Sequence, residues 1–476
     1  MSAGSWEMVV GLEVHVQLKT RTKAFCGCSA DFGDPPNTNT CPVCLALPGA
    51  LPVLNEQAVA LAVRAALALD CAVHERSVFA RKNYFYPDLP KGYQISQADR
   101  PLATGGRVAL ADGTRLGITR IHMEEDAGKS IHDRYPGMTA IDLNRSGVPL
   151  IEIVGEPEIR SSVQAGAYLR ALREVLLYCG VSDLSMEEGS LRVDANVSAR
   201  PRGESAFRSR TEIKNLNSFS NVERALEFEF ARHVRTYEAG GTIAQQTMLF
   251  DAANQEVRAA RSKEGSHDYR YFPEPDLPPL VLTREWIEEQ RRTLPELPAA
   301  RRARWVKGFA ISMTEAEVLS ADQELGAYFE SVVASGGDGK AAANWVMGEV
   351  LAALKETSQR IDRFPVEPAR LAALVGLVKE GLLSSSAAKT VFQAMRSEAL
   401  EPRAIAERDR LLQVGDDSAL EVWIAEVWAE HPDEADRYAR GERKLQGVLV
   451  GFVMKKSQGR ADPKKVNQLL AARATG

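Results

Sequence analysis

The segment Leu12-Glu13-Val14-His15-Val16-Gln17-Leu18 alternates strictly between apolar and polar residues, a period of two that predicts a strand with one face turned to a core. Residues 191–198 alternate the same way, with Leu191, Val193, Ala195 and Val197 on one side and Arg192, Asp194, Asn196 and Ser198 on the other. Helical spacing interrupts these strands. Residues 55–69 carry apolar positions at that spacing, Ser161 and Ser162 offer an N-cap to a helix running to Tyr178 and stopped by Gly180, and Ser218 caps another ended by Gly240 and Gly241. After roughly residue 290 the pattern becomes almost continuously helical, over 322–334, 341–354, 368–380 and 384–395, with Gly, Ser or Pro between the runs. The proline-punctuated stretch Thr293-Leu294-Pro295-Glu296-Leu297-Pro298, followed by Arg301, Arg302 and Arg304, reads as a linker between the two regimes. The fold class is therefore α+β, a mixed domain followed by helical ones, with no internal repeat and no low-complexity tract.

Length and composition narrow this further. A chain of 476 residues, 45% apolar, with a formal charge of −5, is neither disordered nor fibrous and has room for two to four domains. No run of about 18 apolar residues occurs, since Arg64 breaks the longest Ala/Leu/Val stretch, and no basic-then-apolar leader opens the chain. A soluble, cytoplasmic protein without a membrane segment is expected. Charge is uneven: residues 441–476 hold eight Lys/Arg against Glu442 and Asp462, a net of +6 that leaves −11 for the rest. Such a basic end is either a solvated helical face or a phosphate-contacting patch.

Four of the six cysteines lie close together, as Cys26-Gly27-Cys28 and Cys41-Pro42-Val43-Cys44 around a loop rich in Gly, Pro and Asn. Paired thiolates at this spacing suit a closed tetrahedral Zn²⁺ site, which staples a loop and leaves no open position for catalysis. Disulfides are the competing reading, and nothing marks the chain as secreted. Cys71 closes a helical stretch and Cys179 falls on the apolar face of another, so both read as small buried hydrophobes.

Candidate chemistry gathers on the polar strand faces. Glu13 and His15 project together, about 7 Å apart, within reach of one small cation. Asp194 shares its face with Arg192 and Asn196, and Glu124-Glu125-Asp126 crowds three carboxylates ahead of Gly128 and Lys129. Solvation of exposed strand faces would relieve that crowding; convergence in a cleft would instead call for a divalent cation, with Mg²⁺ favoured by the excess of carboxylates. Cations and amides recur in Arg81-Lys82-Asn83, Glu212-Ile213-Lys214-Asn215 and Asp268-Tyr269-Arg270, the neutralising groups that phosphoryl transfer requires. Neither a P-loop nor a dinucleotide fingerprint is present.

Taken together, residues 10–20, both cysteine pairs, residues 81–96 (Arg81-Lys82-Asn83-Tyr84-Phe85-Tyr86-Pro87-Asp88 and onward), residues 186–192, 212–218 and 268–279 resemble the B subunits of bacterial glutamyl/aspartyl-tRNA amidotransferases, and the likeness runs through the whole chain. The resemblance implies a ligase that uses ATP to phosphorylate the side-chain carboxylate of Glu or Asp on a misacylated tRNA, after which ammonia displaces phosphate. It implies an antiparallel-sheet cradle related to glutamine synthetase over 1–292, a helical domain over 293–405 and a basic helical tail over 406–476 that contacts tRNA. It further implies Mg²⁺ held by Glu13, His15, Glu124, Glu125 and Asp194, phosphate steadied by Lys82, Arg192 and Lys214, and structural Zn²⁺ on Cys26, Cys28, Cys41 and Cys44. Ammonia would come from a separate amidase (A) subunit, with a small C subunit completing a heterotrimer.

Overall fold

Apolar alternation over residues 12–18 needs a partner surface, and the computed structural model supplies one. It describes residues 5–252, 254, 256–260, 269–413 and 416–473, which divide into two compact units, Met1–Pro298 and Ala299–Gly476. In the first unit a 14-stranded sheet is built on ten strands. These are β1 (Trp6–Gln17), β2 (Arg76–Asn83), β3 (Tyr93–Arg100), β4 (Arg115–Glu125), β5 (Pro149–Gly155), β6 (Leu191–Pro201), β7 (Thr211–Lys214), β8 (Thr247–Asp251), β9 (Glu256–Ala259) and β10 (Phe272–Pro273). Their spatial order is β9-β8-β7-β6-β1-β5-β4-β3-β2-β10. Every neighbouring pair on that path is antiparallel except β7 with β8.

One face of the sheet is covered. Val10, Leu12, Val14 and Val16 of β1 join Val193, Ala195 and Val197 of β6, and Ile151 and Ile153 of β5, in a core with three helices. Those helices are α1 (Glu56–Ala68), α2 (Ser162–Tyr178) and α3 (Phe219–Glu238), and each starts where a polar side chain accepts a backbone N–H: Asn55, Ser161 and Ser218. Cys71 and Cys179 are buried in the same core. Leu294 and Leu297 also pack against it, so the proline-punctuated stretch lies within the first unit. The other face of the central strands is polar and carries the candidate site.

The second unit is helical throughout its described residues and holds two separate apolar clusters. One runs from Trp305 to Ala406; the other, from Leu420 to Leu470, includes Leu449 and Val453 of the apolar stretch in the basic tail. The run over 341–354 is not one regular helix: Gly339–Trp345 passes through a π-turn at Val346–Val350 into Leu351–Thr357. Val346 and Val350, at the two ends of this turn, are both fully buried. Among the described residues, no helix is long and apolar enough to cross a membrane.

Candidate active site

Antiparallel register sets the site. Arg192 on β6, His15 on β1, Glu152 on β5 and His122 on β4 are direct cross-strand neighbours, forming one row over four adjacent strands. Glu124 lies two residues beyond His122 on the same face and opposite Ser96 of β3, while Lys82 of β2 is opposite Gln94. The row closes into a cluster. His15 Nε2 is 3.4 Å and His122 Nε2 is 3.3 Å from Glu152 Oε2, and His122 Nε2 is 3.1 Å from Glu124 Oε1. Ser96 Oγ donates to Glu124 Oε1 at 2.8 Å and Gln94 Nε2 to Glu124 Oε2 at 3.1 Å, fixing that carboxylate in place.

Burial makes this cluster electrostatically demanding. It would raise Glu124 and Glu152, but hydrogen bonds to His122, and to His15 for Glu152, outweigh it and hold both carboxyls below their ordinary value. Burial would likewise lower His122, yet Glu124 and Glu152 push it up to about 9. The carboxylates thus draw positive charge from protons on the imidazoles or from a cation. Lys82 answers the same field: against burial, Glu124 raises its ammonium, which lies 5.0 Å from the Tyr269 ring centroid.

Among the described residues, His15, Glu124 and Glu152 form a metal-competent group, their ligand atoms all within 4.8 Å of one another. Its membership differs from the sequence-based set. Glu152 enters it and Glu13, Glu125 and Asp194 do not. Glu125 accepts from Ile95 N at 3.0 Å and from Lys91 Nζ at 2.5 Å. Glu13 accepts from Asn196 Nδ2 at 3.0 Å, and Asp194 from Lys214 Nζ at 2.7 Å, with Glu212 3.0 Å from the same ammonium. Glu13 still feels the cluster: burial, then Glu152, Glu212 and Asp194, raise its carboxyl. Arg192 turns towards Asp126, donating at 2.6 Å to an oxygen that Gln17 also reaches at 2.7 Å. Asp268, which opens the third cation-rich stretch, lies outside the described residues.

Beyond Glu13, away from His15, the polar face leads into a cavity of about 440 Å³ lined by Gly11, Asn196, Phe207, Ser209, Arg210 and others. Phe207 is 66% exposed. Gly11 leaves that floor without a side chain.

The cysteines form the second metal-competent group. Cys44 Sγ lies 3.6, 3.8 and 3.9 Å from the sulfurs of Cys26, Cys41 and Cys28. Four thiolates each about 2.3 Å from a central Zn²⁺ are separated by about 3.8 Å, whereas a disulfide is about 2 Å long, and all six cysteines are free. The donor set therefore fits zinc. Lys23, with no exposed surface, donates to Asn39 O at 2.7 Å, Leu143 O at 3.1 Å and Cys44 Sγ at 3.5 Å.

Comparison with known proteins gives this arrangement a family. The GatB/GatE catalytic domain matches residues 8–288 and the GatB domain matches residues 327–473. Subunits B of aspartyl/glutamyl-tRNA(Asn/Gln) amidotransferase from Geobacter sulfurreducens and Prosthecochloris aestuarii are 51% and 52% identical to this chain, over 99% and 98% of its length and 100% and 97% of theirs. That from Chlorobium chlorochromatii is 52% identical over 99% of this chain and 100% of its own. The chain belongs to the family of amidotransferase B subunits, tRNA-dependent ligases.

Proposed function

We propose that this subunit activates the side-chain carboxylate of Glu on tRNA(Gln), Asp on tRNA(Asn), or both, by phosphorylation from ATP, and then converts the acyl phosphate to an amide. The carrying observation is the single row of His15, Glu152 and His122, joined by Glu124, with Lys82 beside it. A carboxylate oxygen of the substrate attacks the γ-phosphorus and ADP leaves; ammonia then attacks the acyl carbon, phosphate leaves and a proton is lost. Charge neutralisation and positioning suffice for the first step. His15, Glu124 and Glu152 would hold Mg²⁺, which when bound neutralises phosphate oxygens. Glu13 and Asp194, the other acids of the same face, would extend that charge field. Lys82 and Lys214 would steady phosphate from either side, and Arg192, tied to Asp126, would face the acyl group. The cavity beside Glu13 would take the nucleoside, with Phe207 as a wall for its base.

The cysteine group would hold a structural Zn²⁺. Ammonia would be supplied by a glutamine-hydrolysing amidase subunit, with a small third subunit completing a cytoplasmic heterotrimer, and the antiparallel sheet would serve as a cradle of the glutamine synthetase kind. The test is amide formation by the reconstituted complex on Glu-tRNA(Gln) and Asp-tRNA(Asn), with and without ATP. Glu152→Gln is expected to lower ATP-dependent turnover by about a hundred- to a thousandfold while glutamine hydrolysis by the partner continues. Turnover within tenfold of wild type would remove Glu152 from the chemistry.

A further inference from the structure

In-line phosphoryl transfer puts the attacking and leaving oxygens on opposite sides of phosphorus. The strand register says which sides these are. From His15 back along β1 through Glu13 to Gly11, beside Asn196 of β6, the face leads into the 440 Å³ cavity. From His15 forward to Gln17 it leads to Asp126 and Arg192, and this end of the sheet carries the hairpin over residues 84–92 that joins β2 to β3. With the nucleotide in the first direction, the acyl group arrives from the second, on the end of its RNA.

That hairpin displays an apolar plate. Phe85 is 91% exposed and Tyr86 45%, yet the loop is held in place. Tyr84 N donates to Gly92 O at 3.1 Å, Leu89 N to Tyr86 O at 3.0 Å and Gly92 N to Leu89 O at 3.0 Å. Asp88 accepts from Gly128 N at 2.8 Å and from Ser130 Oγ at 2.9 Å, and Lys91 is tied to Glu125. The Phe85 ring rests on Gly92, where φ is +73° and an added Cβ would come within 3.0 Å of Cε1. A concavity of about 430 Å³ lies along Phe85, Tyr86, Pro87, Pro90 and Lys91.

We propose that Phe85, with Tyr86, is a stacking platform for the unpaired 3′-terminal nucleotides of the aminoacyl-tRNA. Unpaired RNA is gripped by aromatic faces on which bases stack, with cations nearby for the phosphates. Phe85 follows Lys82, near the end of β2, by three residues, about 10 Å of extended chain, and Lys91 follows it within the hairpin. The acyl ester is carried by the terminal ribose, so a base must lie close to wherever the carboxylate reacts. This placement rests on the amidation reading above, which alone brings an RNA end to this hairpin.

The test uses the reconstituted complex. Phe85→Ala is expected to raise KM for aminoacyl-tRNA about 5- to 100-fold, with kcat and KM for ATP changed little, and Phe85→Tyr to restore it. Removing the terminal adenosine from uncharged tRNA should weaken binding to the wild type but not to Phe85→Ala. An unchanged KM overturns the platform, as does loss of assembly with the amidase subunit, which would make the ring a protein contact. Absence of any ATP-dependent amide from the wild type would instead overturn the amidation reading, and the comparison on uncharged tRNA would still decide the platform.

Discussion

A lysine ammonium without solvent contact needs a counter-charge, and Lys23 has one in Cys44. Burial penalises the Cys44 thiolate, but the hydrogen bond from Cys26 and the charge of Lys23 outweigh that and hold its thiol below the ordinary value. A tetrathiolate site around Zn²⁺ carries excess negative charge, which a buried cation offsets. Lys23→Met is expected to destabilise the first unit by about 3–5 kcal/mol, read from urea unfolding midpoints, and to speed removal of zinc by a chelator. Equal chelation rates would separate Lys23 from the metal. The cysteine spacing was legible in the sequence, because its ligands are local; Lys23 was not, because its partners lie 16 to 120 residues away. Glu152 was hidden differently. It sits in the apolar run Leu150-Ile151-Glu152-Ile153-Val154, where a strand buried on both faces gives no alternation. A carboxylate in such a run is costly unless partnered, and that cost was the available signal.

Elements defined by neighbours in sequence are the ones the residues announce. Asn55, Ser161 and Ser218 cap their helices as their side-chain chemistry suggests, and both alternating strands form. Pairing between strands is a long-range outcome, so the row across four strands and the exclusion of Glu125 had no local trace. Between α3 and β7 the chain is locked by Glu229, which has no exposed surface. Glu229 accepts from Thr211 Oγ1 at 2.7 Å and Arg232 Nη2 at 2.6 Å, and its Oε1 lies 3.2 Å from His233 Nε2. Burial would raise its carboxyl, but hydrogen bonds from Arg232, His233 and Thr211 prevail and set it at about 2, against an ordinary 4.5. A depressed folded value means stability that is complete above about 4.5 and lost as the pH falls towards about 2. Unfolding midpoints of the wild type should drop over that window, and those of Glu229→Gln should be lower at neutral pH and flatter below it. Parallel curves would contradict the assignment.

At the scale of the molecule, the second unit keeps its tail cluster separate from its helical cluster, with the break after Leu412 and before Leu420. Within the tail Lys456 pairs with Glu426 and Glu430, while Lys444, Lys455 and Lys464 have no carboxylate partner among the described residues. A chain ending at residue 413 should retain the folded sheet and helical core, bind tRNA more weakly, and show a shallower dependence of affinity on salt by roughly one unit of log–log slope per lost phosphate contact. An identical slope would return the tail to ordinary surface. The first unit imposes a different constraint. Arg192, His15, Glu152 and His122 stand at one level on four strands, so inserting a single residue into β1 ahead of Leu12 would turn Glu13, His15 and Gln17 towards the helices and present Leu12, Val14 and Val16 instead. Natural variation can revise what each strand displays, but not the frame in which the display begins; additions and deletions of chain belong to the connections.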